Sequence, residues 1–151
     1  ALDLVGRKLS QNTGQLLRRF FHPVDAFIAA DSRSPEMEPF IAPLAKVFGR
    51  CQQATLWIAE RGLADPNEGA AAARDYAALF GYLALGYMWA RTAKIAKQRL
   101  AAGQGEDADF YRAKLATASY YFQRVLPRAT AHAAVLAAGA EPVMALAAEA
   151  F

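Results

Sequence analysis

Alanine fills 36 of the 151 positions, while Val, Ile and Thr together fill only 15, and this imbalance constrains the fold more than any motif. Alanine loses no side-chain freedom in a helix, whereas the β-branched residues that favour strands are too few to supply a sheet. The composition therefore predicts an all-α fold. With 55% hydrophobic residues against 21% charged, the chain is not a disordered or merely solvating one, and its length suits one domain with a sizeable core.

The formal net charge is +3, spread as +2, +2 and −1 over residues 1–50, 51–105 and 106–151. No basic block emerges, so nucleic acid is not an expected partner. The single cysteine, Cys51, cannot form an internal disulfide, and with two histidines it cannot make a structural zinc site; a reducing, cytoplasmic setting is expected. No charge-free apolar run reaches 18 residues, so a transmembrane span is not expected. The opening Ala1-Leu2-Asp3-Leu4-Val5-Gly6-Arg7-Lys8 is unlike a signal peptide and reads as the interior of a longer protein.

Apolar residues at Leu2, Val5, Leu9, Leu16, Leu17, Phe20 and Phe21 predict a helix over 2–21 that Pro23 stops, followed by a short one over 24–30. Ser34 is placed as the cap of the next helix, with Pro35 just inside it. Leu44, Val47, Phe48, Cys51, Ala54, Thr55, Ile58 and Ala59 form one apolar face that ends at Arg61-Gly62. Asp65-Pro66-Asn67-Glu68 combines a capping carboxylate, a proline at the first helical position and a glutamate three residues after the cap. A helix from Pro66 to about Ala102 follows. It has two apolar stripes, Tyr76, Phe80, Leu83, Tyr87, Ala90 and Leu79, Tyr82, Gly86, Trp89, Ala93, which imply more than one neighbour. Gly103-Gln104-Gly105 is a loop, and Glu106, Asp107 and Asp109 open a helix carrying Tyr111, Leu115, Ala118, Phe122 and Val125 until Pro127. Helices over 130–138, ended by Gly139, and over 142–150 complete the reading.

Catalytic chemistry is sparse. His22 sits between an apolar pair and a proline, His132 has no acidic residue within one turn, Asp75 reads as a solvated or locally paired charge, and Glu36, Glu38, Asp107 and Asp109 suit helix starts. Arg91, Lys94, Lys97 and Arg99 wrap around a helix as a solvated face, and Arg124 and Arg128 bracket the Pro127 break. Arg7, Lys8, Arg18, Arg19 and His22 could meet an acidic surface or a phosphate. The aromatics Tyr76, Phe80, Tyr82, Tyr87, Trp89, Tyr111, Tyr120, Tyr121 and Phe122 could line a ligand pocket, but their helical spacing is explained more simply by packing. The sequence assigns no catalytic, cofactor-binding or metal-ligating residue.

Several stretches carry a family resemblance: Ala1-Leu2-Asp3-Leu4-Val5-Gly6-Arg7-Lys8-Leu9, Arg19-Phe20-Phe21-His22-Pro23-Val24, Trp89-Ala90-Arg91-Thr92-Ala93, Phe110-Tyr111-Arg112-Ala113-Lys114-Leu115-Ala116-Thr117-Ala118 and Tyr121-Phe122-Gln123-Arg124-Val125-Leu126-Pro127. In that order the chain resembles the C-terminal helical region of acyl-CoA dehydrogenases, in the 3-methylmercaptopropionyl-CoA dehydrogenase-like subgroup. The resemblance implies an antiparallel helical bundle with long hairpin helices, an accessory domain of a larger flavoenzyme. Residues 1–30 would be a connecting segment from the catalytic part and 31–151 the bundle. The family's glutamate base, in a Tyr-Glu-Gly-Thr motif, would fall just before Ala1. FAD and the acyl-CoA substrate would then belong to the whole enzyme, which would yield a 2,3-enoyl-CoA. The implied partners are the upstream catalytic domains and a second copy in a homo-oligomer; a membrane-surface or protein-binding module is the alternative. If residues 1–30 lose their native contacts, Leu2, Val5, Leu9 and Phe20 are expected to be exposed.

Overall fold

A computed structural model describes residues 1–9, 11, 14–103 and 107–150, and these residues form helices and turns with no strand. The all-α expectation therefore holds. A π-helical turn at Leu4–Lys8 leads into α1 (Gln15–Asp31), α2 (Glu38–Ala64), α3 (Pro66–Ala101), α4 (Ala108–Tyr120), α5 (Ala129–Leu136) and α6 (Glu141–Met144). Gln104, Gly105 and Glu106 of the anticipated loop and helix start lie outside the described residues.

The centre of the fold is a hairpin of its two longest helices. Only Asp65 separates α2 from α3, because its extended backbone (φ −139°, ψ 115°) reverses the chain while its Oδ1 accepts the Asn67 N–H at 2.9 Å. Such a cap contributes about 1 kcal/mol. The two helices can cross tightly here because Gly62 and Gly69 face one another: a Cβ on Gly69 would sit 3.7 Å from the Gly62 Cα. Away from the turn, Leu44, Val47, Phe48, Cys51, Ala54 and Ile58 of α2 are buried against Ala72, Tyr76, Leu79 and Leu83 of α3. The predicted α2 face is thus the core face, except that Ala59 is exposed, and α2 runs past Gly62 to Ala64.

Both stripes of α3 find neighbours. Phe80 meets Phe20 of α1 at 4.7 Å between ring centroids, and Tyr87 meets Phe27 at 5.5 Å. On the other side, the Tyr121 hydroxyl donates to the Tyr82 carbonyl at 2.8 Å. α3 is therefore a central post around which α1, α2 and the α4–α5 arm pack, and α2 also meets the arm directly.

Three expectations at prolines are corrected. α1 runs through Pro23, which is exposed. An internal proline costs a helix about 3 kcal/mol, but Arg19, whose carbonyl loses its donor, is also exposed to water, and Phe20, Phe21, Val24 and Phe27 hold both halves against the core. α2 begins at Glu38 rather than Ser34, whose backbone carbonyl instead accepts the Met37 and Glu38 amides. The interruption before Pro127 starts six residues earlier: Tyr121–Val125 is a π-helical turn and Leu126–Arg128 a 3-10 turn. Pro127 offers no amide to the Gln123 carbonyl, so the register slips and Leu126 N–H pairs with Tyr121 C=O. The last segment is shorter than expected, with α6 and a 3-10 turn at Ala148–Ala150 in place of one helix. Near the start, Leu2 is exposed as anticipated, but Val5, Leu9 and Phe20 are half-buried against the bundle.

Candidate functional site

Polar groups at heptad spacing on α3 receive the returning arm. Glu68, Asp75 and Tyr82 stand seven residues apart, so they share one side of the helix. Glu68 Oε2 accepts the Ala140 N–H at 3.0 Å, Asp75 Oδ1 lies 2.7 Å from His132 Nδ1, and the Tyr82 carbonyl takes the Tyr121 hydroxyl. The Tyr82 ring stacks on the His132 imidazole at 5.6 Å and 29°. Glu68 thus departs from the anticipated capping box; its carboxylate serves a segment 72 residues away. Asp75, read as a solvated or locally paired charge, is not solvated, being only 8% exposed; it does have a local contact, Arg74 Nη1 at 3.8 Å, but its shorter one is to distant His132. His132 does have an acidic partner, one that sequence separation hid.

An Asp–His pair can orient an imidazole for proton transfer, as in a catalytic triad. Here it bridges α3 and α5, and the ring face is covered by Tyr82, so its evident work is to clasp two helices. A second clasp joins α1 to α3. Asp31, 6% exposed at the end of α1, meets Lys94 Nζ at 2.7 and 2.8 Å through its two oxygens, and the ammonium also lies 5.6 Å from the Phe27 ring centre. Lys94 is therefore withdrawn from the solvated basic face expected of it. Among the described residues, no buried side-chain nitrogen or oxygen lacks a partner.

Between α2 and α3 lies a buried relay in which the Thr55 hydroxyl donates to the Cys51 carbonyl at 2.7 Å and contacts the Tyr76 hydroxyl at 2.8 Å. Burial pushes the Cys51 thiol from 9.0 up to about 12, raises the Tyr76 phenol, and lifts Tyr121 from 10.0 to about 12. The folded chain thus keeps protons that the unfolded chain releases, so stability present below pH 9 falls as pH rises through 9 to 12. We expect the unfolding free energy read from urea titrations to decline across that window, by at most roughly 1 kcal/mol per pH unit for each group once the pH passes its ordinary value. Cys51 should also resist alkylation at pH 8 in the folded chain and react once unfolded; equal rates in both states would contradict its burial.

The remaining basic candidates stay at the surface. Lys8, Arg18, Arg19 and His22 are exposed, Arg7 pairs with Asp3 at 2.5 Å, and Arg124 and Arg128 are exposed beside the Pro127 break. The aromatic residues mostly pack against one another, with Phe21 edge-on to Phe48 at 5.3 Å and Phe40 to Phe122 at 5.3 Å; Tyr120 is exposed. Two grooves remain. One, of about 440 Å³, is walled by Val5 and Leu9, Ile58 and Leu63, and Pro66. The other, of about 580 Å³, lies between α2 and the Pro127 break, with Lys46 and Arg50 on its wall; Arg50 hydrogen-bonds Thr130 across it. Among the described residues, no three His, Cys, Asp or Glu side chains gather as a metal site, and no helix is long and apolar enough to cross a membrane.

Comparison with known proteins gives this arrangement a context. Residues 20–147, which run from the aromatic end of α1 through the arm clasped by Glu68 and Asp75, match the family described as acetyl-CoA dehydrogenase C-terminal like. Over 132 residues the chain is 32% identical to a 3-methylmercaptopropionyl-CoA dehydrogenase of Ruegeria pomeroyi, a match covering 87% of this chain and 22% of that protein. The chain thus spans about a fifth of its relative's length. The clasps, the α2–α3 hairpin and the aromatic packing all fall within the matched region, and the chain belongs to the C-terminal domain family of the acyl-CoA dehydrogenases.

Proposed function

We propose that this chain is the C-terminal structural and interface domain of an FAD-dependent acyl-CoA dehydrogenase. The observation that carries this reading is the family match over residues 20–147, on a chain equal to about a fifth of a dehydrogenase relative. The geometry supports it: the charged residues that sequence separation hid, Asp31, Glu68, Asp75, Lys94 and His132, are spent on joining helices to each other. In this reading residues 1–30 form the connector to an upstream catalytic part, tied to the bundle where Asp31 meets Lys94. The flavin, the acyl-CoA and the base belong to that upstream part. The whole enzyme takes a proton and a hydride from adjacent carbons of an acyl-CoA to give a 2,3-enoyl-CoA, in the cytoplasm.

The test compares this chain with the longer polypeptide read from the same locus. The longer protein should copurify with FAD and reduce a ferrocenium acceptor with an acyl-CoA, while the 151-residue chain should do neither. Stoichiometric flavin on the short chain, or a start codon at Ala1 with no upstream catalytic segment, would overturn the proposal.

A further inference from the structure

The groove of about 580 Å³ between α2 and the Pro127 break holds two cations that the fold does not neutralise. Lys46 and Arg50 stand one helical turn apart on its α2 wall, and among the described residues neither pairs with a carboxylate, whereas half-buried Lys94 has Asp31. Arg50 is half-buried and held by the neutral Thr130 hydroxyl, which occupies one of the five N–H donors of a guanidinium. Arg124 and Arg128, exposed beside the wall residues Gln123 and Pro127, add to the positive potential. Glu38, the carboxylate that lines the groove, is eight residues before Lys46 on α2, ~12 Å along the axis. An anionic ligand is therefore drawn toward the Arg50 end.

Charge alone suits any anion, but the walls narrow the choice. Pro39 and Pro43 on α2 and Pro127 opposite them give the groove apolar, conformationally fixed sides. The same prolines leave acceptors behind: Pro43 offers no amide to the Pro39 carbonyl and Pro127 none to the Gln123 carbonyl, and Pro39 and Gln123 both line the groove. A matching ligand combines negative charge, apolar groups and N–H donors, which is the chemistry of an acidic peptide. The spacing agrees. Lys46 and Arg50 are ~6 Å apart along the helix axis, and alternate side chains of an extended strand are ~6.7 Å apart on one face. The geometry points to this groove as the docking site of an extended acidic peptide segment of a partner protein, with carboxylates at alternate positions on Lys46 and Arg50. The residue between those carboxylates faces the Pro127 wall, and main-chain N–H groups of the peptide meet the freed carbonyls.

Fluorescence anisotropy of a fluorescein-tagged Leu-Asp-Leu-Asp-Leu peptide, titrated with the 151-residue chain at low salt, tests this without reference to any upstream part. Saturable binding with a dissociation constant on the order of 100 µM is expected, and the Leu-Asn-Leu-Asn-Leu peptide should bind about tenfold more weakly or less. Lys46→Glu should weaken binding of the acidic peptide about tenfold. Ala42→Trp, which puts a ring into the groove without removing a charge, should weaken it as much. Both positions are exposed, so helix content by circular dichroism should not change. Lys8→Glu changes the net charge equally at an exposed site outside the groove and should leave binding as it is. No saturable binding up to about 1 mM overturns the inference, as does a Lys8→Glu effect equal to that of Lys46→Glu, which would mean attraction to overall charge. Displacement of the peptide by inorganic phosphate, at an ionic strength where sodium chloride displaces none, also overturns it, because the groove would then be a simple anion site.

Discussion

His132→Ala should destabilise the bundle by about 3 kcal/mol, because it strands the Asp75 carboxylate, only 8% exposed, without its nearest partner. His132→Ala should cost less when made in the Asp75→Ala background than alone, since the partner it would have stranded is already gone. Urea titration of the four chains gives the coupling directly, and about 1–2 kcal/mol between the two sites is expected. Additive effects would mean that the 2.7 Å contact contributes nothing and that α5 is held by Leu136 and Ala129 packing alone. Replacing both by a well-packed apolar pair could be neutral, which separates the penalty of a broken clasp from the worth of the clasp itself.

Gly139→Val should cost about 3 kcal/mol for two separable reasons. The residue has φ +72°, a left-handed conformation that a β-branched side chain adopts only under strain. A Cβ there would also stand 2.5 Å from Glu68 Oε2, within the carboxylate that holds the Ala140 amide. Gly139→Ala keeps both conflicts in milder form, and Glu68→Ala relieves only the second. If Gly139→Ala is equally damaging in the wild type and in Glu68→Ala, the backbone strain alone is responsible. A smaller loss in the Glu68→Ala background assigns the difference to the crowded carboxylate. Amide exchange at Ala140 reports the same event locally, since that N–H loses its acceptor when Glu68 is displaced.

The apolar architecture was legible because helix burial repeats locally. The two stripes on α3 and the α2 face from Leu44 to Ile58 follow from spacing alone, and Asp65-Pro66 marks the hairpin turn in two adjacent residues. What sequence reading missed are polar pairs whose members lie 57, 63 and 72 positions apart: Asp75 with His132, Asp31 with Lys94, and Glu68 with Ala140. Nothing near Asp75 or His132 reveals a partner. The seven-residue recurrence of Glu68, Asp75 and Tyr82 was nevertheless present as a signal, a polar row on the side of α3 that the arm covers. The prolines were misjudged for the reverse reason. Local propensity counts the lost hydrogen bond at Pro23 but not the aromatic contacts of Phe20 and Phe21 before it and of Phe27 after it, which keep α1 in one piece.

The single-residue turn at Asp65 also bears on how the chain acquires its shape. A reversal this short lets α2 and α3 meet with almost no loop to close, so their shared contacts form between residues near in sequence and at low entropic cost. The arm can bind only to a hairpin that already exists, because its three anchoring points are spread along one preformed helix. Amide exchange is therefore expected to be slowest along the α2–α3 hairpin and faster in residues 129–140, whose anchors all lie on α3.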